Sequence, residues 1–292
     1  MSHHILHILK HGCTLSKRDG FIVCKGEDQE NSLPYEDLRA VIIAAKGVTL
    51  TSGFMSAVLD SDGVILHCNE KYQPNGITLP LQRIADRNAY LRQAARPNKL
   101  NQRIWKKLLR GKTANQRHVL QTRGLTCNYI EAALSRDEYD EANCARQYWQ
   151  MYFPSIGWAS SGRDRKLDNP PNQMLNYGYS VLAALCHRSL LTHGLSPLLG
   201  VNHVTRYRTH PLVYDLMEPL RPAVDLMLAE FMVQKDVSMK EWCRKVGSDL
   251  REKRIQHKRY PRKLMDAIDV SASSMAQSYA KASSKPFWIP EL

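Results

Sequence analysis

His203 ends a glycine-bounded loop, Gly194-Leu-Ser-Pro-Leu-Leu-Gly-Val-Asn-His203, and two carboxylates, Asp215 and Glu218, follow one predicted helix later. An imidazole with carboxylate oxygens is a ligand set for a divalent cation that leaves coordination positions for phosphate oxygens. Three residues apart, Asp215 and Glu218 would share one helix face. Pro219 and Pro222 remove two amide donors from the same stretch, which predicts a kinked or irregular turn that aims side chains into a cleft. The plainer reading of the pair is an acidic helix start favoured by the helix dipole.

Glu141 adds a third carboxylate. It belongs to a predicted helix from Ser135 to about Phe153, opened by Ser135-Arg-Asp-Glu138 at capping-box spacing. At ~100° per residue, Cys144, Ala145, Tyr148 and Tyr152 fall within ~60° of Glu141, and Asn143, Arg146, Gln147 and Gln150 lie opposite. A carboxylate among apolar side chains is costly unless it is ion-paired, protonated or metal-bound, so a buried structural salt bridge is the alternative. The chain has no Gly-rich phosphate loop, no His-Glu-x-x-His and no serine or cysteine nucleophile signature.

The phosphate such a site would meet is that of a nucleic acid. The net charge is +13, and it is concentrated. From Arg83 to Arg123 twelve Lys/Arg face one acid, Asp86, and from Lys240 to Lys263 ten face Glu241, Asp249 and Glu252, which leaves the remainder mildly acidic. Charge of one sign at this density repels itself unless an anion meets it. Arg83, Arg87, Arg244 and Lys245 are the candidate DNA contacts by charge density and spacing; a solvated helix surface is the alternative.

The elements that must position these residues divide the 292-residue chain in two. Short β-branched segments (Ile5–Leu9, Phe21–Cys24, Ala40–Ala45, Val48–Leu50, Met55–Leu59 and Val64–Cys68), separated by turns such as Asp60-Ser-Asp-Gly63, predict a small sandwich or roll. After Gln73-Pro-Asn-Gly-Ile-Thr-Leu-Pro80, which reads as a linker, the apolar period becomes helical. Helical stretches are predicted from Leu81 to about Leu109, from Leu175 to His193 with Gly194 as stop, from Pro211 to about Val233 and from Met239 to Gln256. From Lys281 onward the chain reads as a loose tail. The fold class is therefore α+β: a small N-terminal β-sandwich-like domain (1–75), a linker (76–82) and a larger all-α C-terminal catalytic domain (83–292). No apolar run reaches the ~18 residues that span a bilayer, and no secretory signal is visible. Seven scattered cysteines without a Cys-x-x-Cys pair point to reduced thiols and a cytoplasmic protein.

Three stretches, Asn176-Tyr-Gly-Tyr-Ser-Val-Leu182, Gly194 to His203 and Tyr214-Asp-Leu-Met-Glu-Pro-Leu-Arg-Pro-Ala-Val-Asp225, resemble the CRISPR adaptation integrases, the Cas-one family of spacer-acquisition endonucleases. Glu141-Ala-Asn-Cys-Ala-Arg-Gln-Tyr-Trp149 is similar to that family's upstream glutamate helix. The resemblance implies that Glu141, His203 and Glu218 hold Mg²⁺ or Mn²⁺ and that a DNA 3′-hydroxyl is joined to the CRISPR repeat. It leaves the role of Asp215 open. A glutamate at position 218, where some members carry aspartate, resembles systems built on a single large RNA-guided effector. It also implies a homodimer joined through the β domain, bridged by a small second adaptation protein, Cas-two, into a heterohexameric complex on double-stranded protospacer and repeat DNA. The rival readings are a metal-dependent nuclease acting on branched DNA and a DNA-binding scaffold without catalysis.

Overall fold

Alternation along the N-terminal strands divides their side chains between two cores. The computed structural model describes residues 4–27, 29–36, 38–81, 87–159, 162–164, 166–167, 169–203, 210–233, 237–257 and 260–292. The chain opens with His4–Ile8 (β1), Thr14–Arg18 (β2), Phe21–Lys25 (β3), Glu30–Pro34 (β4), Leu38–Ile43 (β5) and Thr49–Leu50 (β6). Ser52–Asp60 (α1), Val64–Cys68 (β7) and Pro74–Thr78 (β8) follow. One sheet has the order β1-β5-β7-β8 with β1, β5 and β7 parallel; the other has the order β4-β3-β2-β6. Val41, Ile43 and Ile65 point to a small core shared with Leu15 and Ile22 of the second sheet and Phe54 and Val58 of α1. Ala40, Ile42, Val64 and Leu66, on the opposite face, join the large core of the helical region. This is the period-2 rule at work, and it fuses the two halves of the chain through one sheet.

Two sequence expectations change here. Met55–Leu59, expected as a strand, lies in α1, because Thr51 caps the helix by accepting the Phe54 N–H at 3.2 Å. Its buried residues Phe54, Ala57 and Val58 follow helical spacing. Pro74–Thr78, expected to open the linker, pairs antiparallel with β7.

The helical region comprises Arg87–Ala94 (α2), Asn98–Thr122 (α3), Asn128–Arg136 (α4), Glu141–Ser155 (α5), Pro170–Thr192 (α6) and Pro211–Met217 (α7). A single 3₁₀ turn, Glu218–Leu220, leads into Arg221–Phe231 (α8), and Met239–Glu252 (α9) and Leu264–Ala280 (α10) complete the set. The basic helical region expected from Leu81 to about Leu109, of which residues 82–86 lie outside the described ones, is divided at Arg96, whose φ of 48° is left-handed, and at Pro97. The region is not all-α, since Arg254–His257 (β9) and Tyr260–Lys263 (β10) form an antiparallel hairpin after α9.

The last residues are not a loose tail. Phe287 is buried, and Lys107 on α3 donates to the Ser284 and Phe287 carbonyls at 2.6 and 3.0 Å. Asn115, two turns further along α3, donates to Pro290 O at 2.9 Å and accepts from Leu292 N at 3.0 Å. Phe287 anchors the segment with Trp288, Ile289 and Leu292 packed against the same core, and this apolar cluster was the sequence signal for docking. Phe287→Ala should therefore lower unfolding free energy by about 3 kcal/mol, the usual cost of emptying a buried Phe site. Urea denaturation measures this, and a midpoint unchanged from wild type would mean the tail is undocked in solution.

Candidate active site

Gly194, with φ 73°, ends α6, and the loop that follows brings His203 back beside Asp215 of α7. The loop closes on itself at Gly200, where a Cβ would meet His203 O at 2.5 Å and Asp215 Oδ2 at 3.0 Å, so only glycine fits. Asp215 is fully buried, and its carboxylate accepts the backbone N–H groups of Val201, Asn202 and His203 at 2.6, 3.3 and 3.2 Å. It also accepts the imidazole Nδ1–H of His203 at 2.6 Å. With Nδ1 committed, the lone pair of the ring lies at Nε2, which is how a carboxylate behind a histidine prepares it to be a ligand. Trp105 stands edge-on to the ring at 5.7 Å between centroids. Asp215 and Glu218 thus do not act as a pair on one helix face, because the helix ends at Met217 and the Pro219 turn redirects Glu218.

Glu218 is buried with a cation against each oxygen. Lys112 Nζ of α3 lies 2.7 Å from Oε2, and Arg221 Nε lies 2.9 Å from Oε1. Burial alone would raise the Glu218 carboxyl, but Arg221 and Lys112 outweigh it and hold it down at about 2. The same Lys112 ammonium lies 2.9 Å from Glu141 Oε1. Burial favours the neutral amine, yet the two carboxylates together raise the Lys112 pKa.

Glu141 reaches this position differently from the sequence expectation. No helix runs through Ser135–Glu138; α4 ends there with Asp137 in a left-handed conformation, φ 55°. Asp140 starts a new helix by accepting the Asn143 N–H at 3.0 Å, which makes Glu141 its first residue. Its side chain is 38% exposed, so it lies at a rim instead of the middle of an apolar face.

Glu141, His203 and Glu218 line one cavity of about 220 Å³ with Lys112, Arg163, Tyr179, Arg221 and Asp225. Of these, Lys112, Arg163, Tyr179 and Arg221 were not singled out from the sequence; the helical spacing of Glu218 and Arg221 was the available signal. Asp225 closes the floor. Tyr148 and Tyr179 donate their hydroxyls to its carboxylate, the former at 2.8 Å, and Tyr152 donates to its carbonyl at 2.7 Å. Burial pushes the Asp225 carboxyl up to about 7, against the pull of the two tyrosines, Arg163 and Arg221. A raised carboxyl pKa means that folding takes up a proton between pH 4 and 7, so this group's contribution destabilises progressively as pH rises through that window. Asp225→Asn removes that slope. The stability of the variant relative to wild type should grow by about 2 kcal/mol or more between pH 5 and 8 in urea melts, and a constant difference would refute the raised value.

Among the described residues no three His, Cys, Asp or Glu side chains close to metal-ligating distance. The donor set nevertheless suits a divalent cation: two carboxylates and an imidazole whose Nδ1 is committed to Asp215 face one cavity, and a positive charge, the Lys112 ammonium, already lies between the carboxylates.

The candidate DNA contacts separate. Arg83 lies outside the described residues; Arg87 is exposed on α2, and Arg244 is exposed on α9 beside Lys10 and His11. Lys245 is held by Asp249 at 2.8 Å and Glu230 at 3.6 Å. The basic segment is also partly structural, since Arg92 and Arg123 donate to the Tyr279 and Ser155 carbonyls. Lys99, Arg103, Lys106 and Arg110, exposed at spacings of four, three and four, form a stripe along α3.

The family described as CRISPR associated protein Cas1 matches residues 6–253. A CRISPR-associated endonuclease Cas1 from Pyrobaculum aerophilum is 27% identical over 240 residues, covering 76% of this chain and 81% of that one. A casposase bound to integration product has a similar fold, with a TM-score of 0.80 at 19% identity over 98% of this chain and 94% of its own. So does a chain of a Cas6-RT-Cas1–Cas2 complex, with a TM-score of 0.74 at 16% identity over 99% of this chain and 36% of that one. The same motifs that bring Glu141, His203 and Glu218 to one cavity lie inside the matched span, and the chain belongs to the CRISPR-associated Cas1 family.

Proposed function

We propose that this protein is a spacer-acquisition integrase that uses the Glu141, His203 and Glu218 cavity to join a DNA 3′-hydroxyl to a phosphodiester of the CRISPR repeat. The observation that carries this reading is the convergence of those three side chains, from α5, the loop after α6 and the 3₁₀ turn, on one cavity that Lys112, Arg163 and Arg221 also line. Bound there, Mg²⁺ or Mn²⁺ would polarise a phosphoryl oxygen and neutralise charge developing on it. Glu141 and Glu218 offer oxygens, His203 offers Nε2, and Asp215 fixes the imidazole in the orientation that this requires. Arg221 and Arg163 line the cavity as fixed positive charge for the phosphate, and the site needs no protein nucleophile. Strand cleavage is the reverse of joining, so nuclease activity follows from the same residues.

Family membership supports a nuclease or integrase enzyme, and the Cas2-containing neighbour supports a small second adaptation protein as partner. In this reading the protein is a cytoplasmic homodimer, joined through its β-rich region (1–75) and bridged by that partner into a heterohexamer on double-stranded DNA. Glu218 in the third ligand position supports a system with a single large RNA-guided effector. DNA approaches along the α3 stripe at its exposed Lys99 and Arg103, because Lys106 and Arg110 further along the same face are paired with Asp137 at 2.7 and 3.3 Å.

Glu141→Gln, His203→Ala and Glu218→Gln should each reduce joining of a free-ended duplex to a repeat-bearing plasmid by at least about a hundredfold, with non-additive losses. Duplex affinity should stay within a few fold. Chelation should abolish joining, and added Mn²⁺ or Mg²⁺ should restore it. Joining by any one variant at the wild-type rate removes that residue from the site, and cutting without joining by the wild type makes the protein a branched-DNA nuclease. Neutralising Lys99 and Arg103 together should flatten the log–log salt dependence of duplex binding by about one unit per lost phosphate contact. Lys245→Ala should leave that slope alone, because its charge is already spent on Asp249 and Glu230. Fluorescence anisotropy at four salt concentrations distinguishes these outcomes, and unchanged slopes in the Lys99/Arg103 variant would move the DNA path elsewhere.

A further inference from the structure

We infer that Lys112 is a tethered stand-in for the divalent cation: its ammonium holds Glu141 and Glu218 together and must give them up when metal binds. The inference rests on the metal-site reading above and goes beyond it by assigning a competitor inside the site.

Lys112 sits on α3 with its side chain 12% exposed, and its Nζ lies 2.9 Å from Glu141 Oε1 and 2.7 Å from Glu218 Oε2. Two carboxylates facing one small cavity repel each other, and a single positive charge between them removes that repulsion. The other Glu218 oxygen is held by Arg221, so an arriving cation cannot reach Glu218 without meeting a positive charge already in place. Of the two cations Lys112 is the one able to yield. Arg221, whose side chain is as little exposed as that of Lys112, places its guanidinium 4.9 Å from the Tyr179 ring centroid while its Nε–H donates to Glu218. Lysine carries a compact charge on a flexible four-carbon stem and can swing without breaking a second contact of that kind.

Two consequences follow. Lys112 preorganises the ligand carboxylates at the cost of metal affinity, because each metal ion must displace it. Once displaced, the ammonium remains at the cavity rim, where its natural partner is a phosphate oxygen. Metal and DNA phosphate should therefore bind with positive coupling, each relieving a charge that the other leaves unpaired.

Calorimetric titration of Mn²⁺ into the full chain tests this, with wild type, Lys112→Met and Glu218→Gln side by side. Lys112→Met should bind Mn²⁺ about tenfold more tightly or better, since the competing charge is gone. It should also melt lower than wild type in EDTA and regain more stability on Mn²⁺ addition, because only the metal then separates its two carboxylates. Unchanged or weaker Mn²⁺ affinity in Lys112→Met, with wild-type binding still abolished by Glu218→Gln, overturns the stand-in role and leaves the metal site intact. Absence of any Glu218-dependent Mn²⁺ binding in the wild type overturns the metal site and this inference together. If Lys112→Met does not fold, lysine-ammonium NMR on the wild type decides. The Lys112 Nζ–H signal, protected by two ion pairs in EDTA, should lose its protection on Mg²⁺ titration, and a signal unmoved at saturating Mg²⁺ overturns the proposal.

Discussion

A carboxylate as buried as Glu218 stays ionised only where cations are held against it, and much of the helical region is arranged to hold them. Lys112 comes from α3, Arg221 from the start of α8, and Glu218 from the turn that precedes α8. Each helix brings its own apolar stripe into the common core, so packing energy fixes the positions of charges that would otherwise repel or solvate. The result is a site whose electrostatics are set before any ligand arrives. That is the condition under which fixed charges stabilise developing charge without reorganising.

The second constraint is the Asp215 tie. A buried carboxylate that accepts three backbone amides and an imidazole nitrogen serves the loop and the site at once. It satisfies amide donors that the loop, having no ladder partner, would leave orphaned, and it fixes the face of His203 turned to the cavity. The glycine at 200 is needed for the same reason: the loop must pass so close to Asp215 that no side chain fits between them.

How much of this could be read from the sequence depends on the kind of interaction. That Glu141, His203 and Glu218 belong together was legible from their residue types and surrounding motifs, and they line one cavity; the order of a β-rich region before a helical one followed from the change of apolar period. The parallel pairing of β1, β5 and β7 was not legible, since period 2 is the same for either direction. The break between α4 and α5 was missed because Ser135 and Asp140 are both competent caps, and only tertiary packing chooses between them. Charge density misled in part for a related reason. Long cationic side chains bury their stems and place their heads on backbone carbonyls, as Arg92, Lys107 and Arg123 do, and such carbonyls leave no mark in a sequence.

The α3 segment Gly111-Lys112-Thr113-Ala114-Asn115 fastens the Glu218 turn to the rest of the helical region. Pro219 and Pro222 strip amides from the Glu218 turn, and its carbonyls must find donors outside the helix ladder. Asn115 supplies one, donating to Pro219 O at 2.7 Å, while Lys112, one turn earlier on the same face, holds the Glu218 side chain. Gly111 lets the two backbones approach, since a Cβ there would lie 3.2 Å from Pro219 Cβ and 2.4 Å from Ile289 Cγ2 of the docked C-terminal segment. Backbone, side chain and tail are thus fastened to the turn from a single helix face. The irregular turn that frees Glu218 from a helical neighbour's geometry is held from outside, as the His203 loop is held by Asp215, and α3 is the element that holds it.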